Sequence, residues 1–354
     1  MKEIRIGKHL LSKNGPLYFI ADIAANHDGD INRAFKLIEL AKECGAQAAK
    51  FQNFQANKIV SRIGFDKLPQ SAHQKAWKKS VYETYQDASI SFDWTAKLKA
   101  KCDEIGIEYL TSPYDFDSIE QVDPYVNAYK IGSGDITWME IIEHMAKKGK
   151  PVILATGASS MEDVERAMRV LQEHIKDIVL MQCNTNYTAN LENFKYINLK
   201  VLKTYAERYP KIVLGLSDHT HGHATILGAI ALGATVFEKH FTDDNRRNGP
   251  DHSFAMNPTT WKEMIDRAKE LFDALGDGIK IIEENEKESV KLQRRSVRAK
   301  IDLPADTILI AEMLENLRPI LDGELPPYLV KEVIGKKLTR AVKTGEAITL
   351  NICS

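Results

Sequence analysis

The chain has 354 residues, 44% of them hydrophobic, with a formal net charge of −1 at pH 7; this allows one large domain of about 250 residues and a small one. Near-neutrality argues against a nucleic-acid or membrane-surface protein, which needs a basic excess to meet phosphates. The four cysteines, Cys44, Cys102, Cys183 and Cys353, form no CxxC pair, which argues against a zinc knuckle or disulfide scaffold and fits thiols in a reducing cytoplasm.

The first residues, MKEIRIGKHLL, hold too few apolar residues for a signal peptide, and no run reaches the roughly 18 apolar residues of a membrane span. A cytoplasmic protein is expected. Eight short apolar runs then follow in order: YFIADIAAN, AQAAKFQNF, IEYLTSP, AYKIGSG, PVILATG, DIVLMQC, KIVLGLSD and TVFEKHFT. Short runs bounded by turns suit strands buried on both faces of a parallel sheet. Helical patterns separate most of them. INRAFKLIELAKECG sets Ala34, Leu37, Ile38 and Ala41 on one face and stops at Gly45, a good C-terminal cap. MEDVERAMRVLQEHI repeats the spacing with Val164, Met168, Leu171 and Ile175, behind a Ser-Ser pair able to cap its start. TILGAIALG and TTWKEMIDRAKELFDALG follow later strands in the same way.

Eight strand–helix units in about 250 residues predict a (β/α)8 TIM barrel. A doubly wound sheet is the alternative, but it would normally have fewer strands and a glycine-rich first turn, and ANHDGD is not GxGxxG. The segment from Val60 to Ser91 breaks the rhythm and reads as a lid or cover. The basic runs AWKK and LQRRSVRAK read as solvated faces. We expect a barrel domain over residues 1–276, a charged linker over 277–295, and a small β-rich domain over 296–354 that docks on something.

In such a barrel the chemistry lies at the C-terminal strand ends. Polar residues gather there: Asp22, Asn26 and His27; Lys50 and Gln52; Thr111 and Ser112; Lys130, Ser133 and Asp135; Thr156; Asn184, Thr185 and Tyr187; Ser217, Asp218 and His219; Glu238 and His240. Wet strand ends explain many of these. They explain Lys50 and Lys130 poorly, because each lies inside an apolar run and a buried ammonium needs an anion or a hydrogen-bond network. Two such lysines with nearby hydroxyls point to a phosphate or carboxylate site, with a structural salt bridge as the alternative. His219 and His240 end successive strands about 4.8 Å apart, near enough to share an ion such as Mn, Fe, Co or Zn. Asp251, in NGPDHSFAM, sits in a tight turn.

Taken together, NHDGD, AAKFQ, AYKIGSGD, ILATG, LGLSDHT, FEKHFT and NGPDHSFAMNP resemble the sialic acid synthase family. The tail, RSVRAKIDLPADTIL through IGKKLTRAVKTGEAI, resembles the antifreeze-like (SAF) domain that ends that family. The resemblance implies condensation of phosphoenolpyruvate (PEP) with an N-acetylated hexosamine, N-acetylmannosamine or a 6-deoxy diacetamido sugar, to give a nonulosonic acid and phosphate. It implies that Lys50, Ser112, Lys130, Ser133, Thr185 and Ser217 hold PEP. His219 and His240 would bind a divalent metal, manganese, with magnesium or cobalt as alternatives. Gln52, Asp135, Tyr187 and Asp251 would contact the sugar, and Arg318 would enter a partner's site in a domain-swapped homodimer. Asp22 stands where the family has glutamate and is the expected proton-handling group. Asp135 stands where some relatives have glutamate, Ala155 where some have serine, and QCNTNYT replaces the more usual CTxxYP. A Schiff-base aldolase of sialic-type acids and a non-enzymatic carbohydrate-binding protein are the competing readings.

Overall fold

The computed structural model describes residues 3–69, 74, 77, 79–188 and 190–354. Residues 70–73, 75, 76 and 78, within the expected lid and AWKK, lie outside these. Contacts divide the chain into two units, Met1–Gly276 and Asp277–Ser354.

The first unit opens with an antiparallel hairpin of β1 (Glu3–Ile6) and β2 (His9–Ser12), which the sequence reading passed over. The eight apolar runs form β3 (Tyr18–Asp22), β4 (Ala48–Asn53), β5 (Glu108–Pro113), β6 (Tyr129–Ile131), β7 (Val152–Ala155), β8 (Ile178–Cys183), β9 (Val213–Asp218) and β10 (Val236–His240). They pair in parallel in the order β5-β4-β3-β10-β9-β8-β7-β6, and β5 lies beside β6. The sheet closes on itself as a (β/α)8 barrel, and the doubly wound alternative falls. Between β3 and β4 runs α1 (Ile31–Glu43); between β4 and β5 run α2 (Ala56–Ile59), α3 (Arg62–Asp66), α4 (Val81–Ala88) and α5 (Phe92–Ile105). The later connections are α6 (Phe116–Val122), α7 (Met139–Lys147), α8 (Met161–His174), α9 (Val201–Arg208) and α10 (Ala224–Ala231), with α11 (Pro258–Leu275) after β10.

Local chemistry accounts for these boundaries. Asp30 caps α1 by accepting from the Asn32 N–H, and Ala34, Leu37, Ile38 and Ala41 are its buried face. Gly45 ends the turn at φ +91°, a left-handed conformation that favours glycine. Ser160 and Asp163 form a reciprocal capping box at the start of α8.

Strand periodicity divides the apolar residues between two cores. Outward residues such as Phe19, Ala49, Tyr109, Leu180 and Phe237 join the helices in a large outer core. Inward residues Tyr18, Ile20, Ala48, Leu110, Ile153, Val179, Val213 and Val236 form a second core with Ile4, Ile6 and Leu11 of the hairpin. These inward residues sit early in their strands, so the hairpin plugs the N-terminal end of the barrel. Continuing two residues at a time leads from Ile20 to Asp22, from Ala48 to Lys50 and Gln52, from Ala128 to Lys130, and from Val236 to Glu238 and His240. The apolar plug thus gives way to charge along the same inward face.

The second unit holds α12 (Lys287–Gln293) and a two-stranded antiparallel sheet of β11 (Ser296–Ala299) and β12 (Leu314–Leu317). Its own core contains Val297, Leu303, Leu309, Val333, Leu338 and Ile348, and Arg298 pairs with Glu324 at 2.9 Å. Among the described residues, no helix is long and apolar enough to cross a membrane.

Ile6 is fully buried in the plug, so Ile6→Ala should destabilise the barrel by about 2–4 kcal/mol through lost burial and a residual cavity. A urea-unfolding midpoint unchanged from wild type would show that the hairpin contributes nothing to the barrel.

Candidate active site

Strand register builds the site. In the parallel ladder Asp22 stands opposite Lys50 on one side and His240 on the other. Ser217 stands opposite both Glu238 and Cys183. Two adjacent rows of inward side chains result. The Lys50 ammonium lies 2.7 Å from Asp22 Oδ2 and 3.9 Å from Glu238 Oε2, and Lys130 lies 3.3 Å from Glu238 Oε1. The Ser217 hydroxyl donates to Glu238 Oε1 at 3.0 Å. On the other side of Asp22, His240 Nε2 is 3.7 Å from Oδ2, and His240 Nδ1 is 3.9 Å from Asp251 Oδ2. Lys130, Glu238, Lys50, Asp22, His240 and Asp251 therefore form one chain of polar and charged groups.

Burial sharpens this chain. Lys50 and Lys130 are each only 2% exposed, a costly position for an unpaired ammonium. Burial alone would lower the Lys50 pKa, but Asp22 and Glu238 outweigh it and raise the pKa above the ordinary lysine value. Burial likewise pushes Glu238 up, and Lys130, Lys50 and the Ser217 hydroxyl reverse that to about 2. Both lysines thus stand in salt bridges, the alternative raised from their sequence context. Glu238 Oε2 and the buried Ser112 hydroxyl have no hydrogen-bond partner.

The imidazoles of His219 and His240 lie 5.3 Å apart between centroids. Tyr187 closes over them at 4.4 and 6.2 Å, and Phe254 packs 4.9 Å from His240. These residues fit a metal ion by their chemistry. His219 Nδ1 is 2.8 Å from the Asn184 carbonyl oxygen, and donating there leaves Nε2 as a free base. Burial, followed by the neighbouring His240, drives the His219 pKa down to about 4, so the ring is neutral as ligation requires. His240 Nδ1 is a buried nitrogen with no hydrogen bond. Among the described residues no three His, Cys, Asp or Glu side chains gather closely enough to hold an ion unaided. Water or a substrate oxygen would complete such a sphere.

The row opens into a cavity of about 690 Å³ whose wall includes Gln52, Thr185, Tyr187, His240 and Asp251. Other predicted site residues stand nearby. The Ser133 hydroxyl accepts the Gly157 N–H at 2.8 Å. Asp135, in the turn after β6, has its pKa raised to about 6 by burial, which Lys130 partly offsets. Ala155 is buried on β7. Arg318 belongs to the second unit and is placed only within it.

Behind the row, two buried networks hold its loops. Lys239 points away from the barrel interior, pairs with Asp218 and donates to the Thr220 carbonyl oxygen; the Thr220 and Thr225 hydroxyls also donate to Asp218. This clamps the peptide on both sides of His219. His252, fully buried, lies 2.9 Å from Asp28 Oδ1, and Asp28 also meets Arg33 and Arg247. That contact latches NHDGD to NGPDH, and the Ala25 N–H donates to Asp251 at 3.2 Å.

The NeuB family model matches residues 37–280, and the SAF domain model matches residues 294–351. The chain belongs to the NeuB family. Across 93% of its length it is 33% identical to N,N'-diacetyllegionaminic acid synthase of Campylobacter jejuni, covering 98% of that protein. It is 31% identical to human N-acetylneuraminate-9-phosphate synthase, over 94% of this chain and 91% of the relative. The crystal structure of sialic acid synthetase from Leptospira borgpetersenii, in complex with citrate, superposes with a TM-score of 0.72 at 25% identity, over 82% of this chain and 95% of that one. As a NeuB-family member, the chain is an enzyme of the transferase-type acid synthases.

Glu238 is the residue whose place in this NeuB-family site sequence reasoning missed. It was one polar strand end among many, and nothing in FEKHFT names its partners on β4 and β6. The available signal was its alternation with His240, which puts both side chains inside the barrel. Removing either partner strands a buried charge, so Lys130→Met and Glu238→Gln should each cost about 3–5 kcal/mol. The double variant should cost less than their sum by about 1–3 kcal/mol in urea denaturation. Strict additivity would mean the pair is not coupled.

Proposed function

We propose that this NeuB-family enzyme condenses PEP with an N-acetylated hexosamine to give a nonulosonic, sialic-type acid, releasing phosphate by C–O cleavage. One observation carries the reading. Two paired ammonium groups and two neighbouring imidazoles gather at the inward strand ends beside a sugar-sized cavity. Relatives named as legionaminic and N-acetylneuraminate-phosphate synthases support the product class.

In this reading Lys50 and Lys130 hold the carboxylate and phosphate of PEP, assisted by the hydroxyls of Ser112, Ser133, Thr185 and Ser217. Gln52, Asp135, Tyr187 and Asp251 orient the open-chain sugar. A divalent cation held by His219 and His240 (manganese, with magnesium or cobalt as alternatives) would supply Lewis-acid polarisation of the aldehyde. C3 of PEP attacks the aldehyde carbon, water adds at C2, and the tetrahedral intermediate expels phosphate to leave the 2-keto acid. Asp22, placed between Lys50 and His240, handles the proton of the attacking water or of the new hydroxyl. The same reading carries a cytoplasmic homodimer in which the partner's Arg318 reaches the sugar.

The Schiff-base alternative requires a neutral lysine amine. Asp22 and Glu238 keep Lys50 protonated, which works against it. An inert carbohydrate-binding barrel gives no reason to bury two lysines beside two imidazoles.

Phosphate release from PEP should require an N-acetylated hexosamine and stop with EDTA, and PEP labelled with 18O at the bridging position should yield labelled phosphate. Lys130→Met should lower kcat/KM for PEP by about 100-fold or more while moving the sugar KM only a few-fold. Unchanged PEP kinetics in that variant, or trapping of a substrate on lysine by borohydride, would contradict the assignment.

A further inference from the structure

We propose that Asp218 and Lys239, with Thr220 and Thr225, are positioning residues: their buried network fixes the spacing of His219 and His240 and so sets the affinity for a divalent cation. This rests on the reading that the two imidazoles hold such an ion, and it names the groups that keep them in place. None of the four lines the cavity over His240.

The sheet by itself places one of the two imidazoles. His240 is the last residue of β10 and is still paired with Asp22 of β3. His219 lies one residue past the end of β9, and the β9–β10 pairing stops at Asp218 opposite Lys239. Asp218 and Lys239 therefore stand directly before the two histidines, on the last rung that joins their strands. Their side chains carry the connection beyond it. Lys239 pairs with Asp218 and donates to the Thr220 carbonyl oxygen. Asp218 Oδ1 accepts the Thr220 N–H at 3.3 Å, and Oδ2 accepts the Thr220 and Thr225 hydroxyls, each at 2.8 Å. Thr225 belongs to the first turn of α10, so strand, loop and helix meet at one carboxylate. The His219 ring is held separately, by its Nδ1 contact of 2.8 Å with the Asn184 carbonyl oxygen.

Stability alone does not explain a buried ion pair at this position. Asp218 and Lys239 are each 2% exposed, and they alternate with the outward Leu216 and Phe237 of the apolar outer core. A well-packed apolar pair there would be as stable or more so. What an apolar pair cannot do is fix direction. Hydrogen bonds hold Thr220, and with it His219, to β10 in one geometry. Among the described residues no third His, Cys, Asp or Glu joins the imidazoles closely enough to complete an ion site, so no further side chain compensates if one ring drifts. Apparent affinity then falls with the fraction of time that both rings are in place. Groups that orient metal-ligating histidines typically contribute about 10- to 100-fold.

The test uses the full-length enzyme stripped of metal, with Mn2+ as the probe and the paramagnetic resonance signal of the free ion as the measure of binding. Asp218→Asn combined with Lys239→Met removes the tie without leaving a buried charge. The Mn2+ dissociation constant of this double variant should rise by about 10- to 100-fold. The Mn2+ concentration giving half-maximal phosphate release should rise by the same factor, while the KM for PEP at saturating Mn2+ moves only a few-fold. Should circular dichroism show the double variant unfolded, Thr225→Val decides: it should weaken Mn2+ binding, and Thr225→Ser, which keeps the hydroxyl, should match wild type. Wild-type affinity in the folded double variant, or in Thr225→Val where that variant decides, would overturn the positioning role and leave the cation site intact. Mn2+ bound equally by wild type and His219→Ala would overturn the cation site and the positioning role together.

Discussion

Two ammonium groups have to remain charged inside an otherwise apolar barrel, and the rest of the site is arranged around that constraint. Lys50 and Lys130 are almost fully buried, and their desolvation is offset by Asp22 and Glu238. Asp22 accepts from Lys50 and the Ala24 N–H, while Glu238 keeps one oxygen without a hydrogen bond. Asp22 also faces His240. The charges are therefore balanced without being locked. An anionic ligand that met the lysines and a cation that met the imidazoles would act on the same connected chain of groups. This connectivity couples the two halves of the proposed reaction, because Asp22 borders both.

Such a chain needs accurate placement, and the barrel supplies it through register. Parallel pairing sets Asp22 directly between Lys50 and His240, so their separation follows from the sheet and not from loop conformation. The loops that carry the remaining groups are fixed from behind. Asp218 and Lys239 occupy outward positions and brace His219 through Thr220. The Asp28–His252 contact ties together the loops that follow β3 and β10. Burial works to raise the Asp28 pKa, and His252, Arg247 and Arg33 hold it below the usual carboxylate range instead, so the latch keeps its charge at neutral pH. At the opposite end of the barrel the hairpin plug closes the interior with apolar side chains alone.

The barrel was legible because each strand is buried on both faces and reads as a short apolar run bounded by turns. Lys50 and Lys130 stood out against those runs, and His219 and His240 ended neighbouring ones. The β1–β2 hairpin escaped notice because two four-residue strands are too short to establish alternation. Glu238, the Asp28–His252 latch and the Asp218–Lys239 clamp escaped for a different reason. Each depends on partners 21 to 224 residues apart in sequence, and single-chain patterning carries no information about such pairs. The Val60 to Ser91 segment stood out by its length, and Thr84, Tyr85 and Ala88 of it line the cavity, but the aromatic corner that Phe54 forms with Tyr85 and Tyr114 was not legible. That corner depends on Phe54, just after β4, meeting both Tyr85 of α4 and Tyr114, just after β5.

The central claim is that the imidazole pair and the ammonium pair serve one reaction centre. It is tested most directly by diffraction from crystals grown with Mn2+ and PEP, using manganese anomalous scattering to place the ion. The predicted map has a single manganese peak coordinated by His219 and His240, with the enol phosphate in contact with Lys50 on β4 and Lys130 on β6. Manganese bound away from both histidines, or PEP bound without touching either lysine, would contradict it.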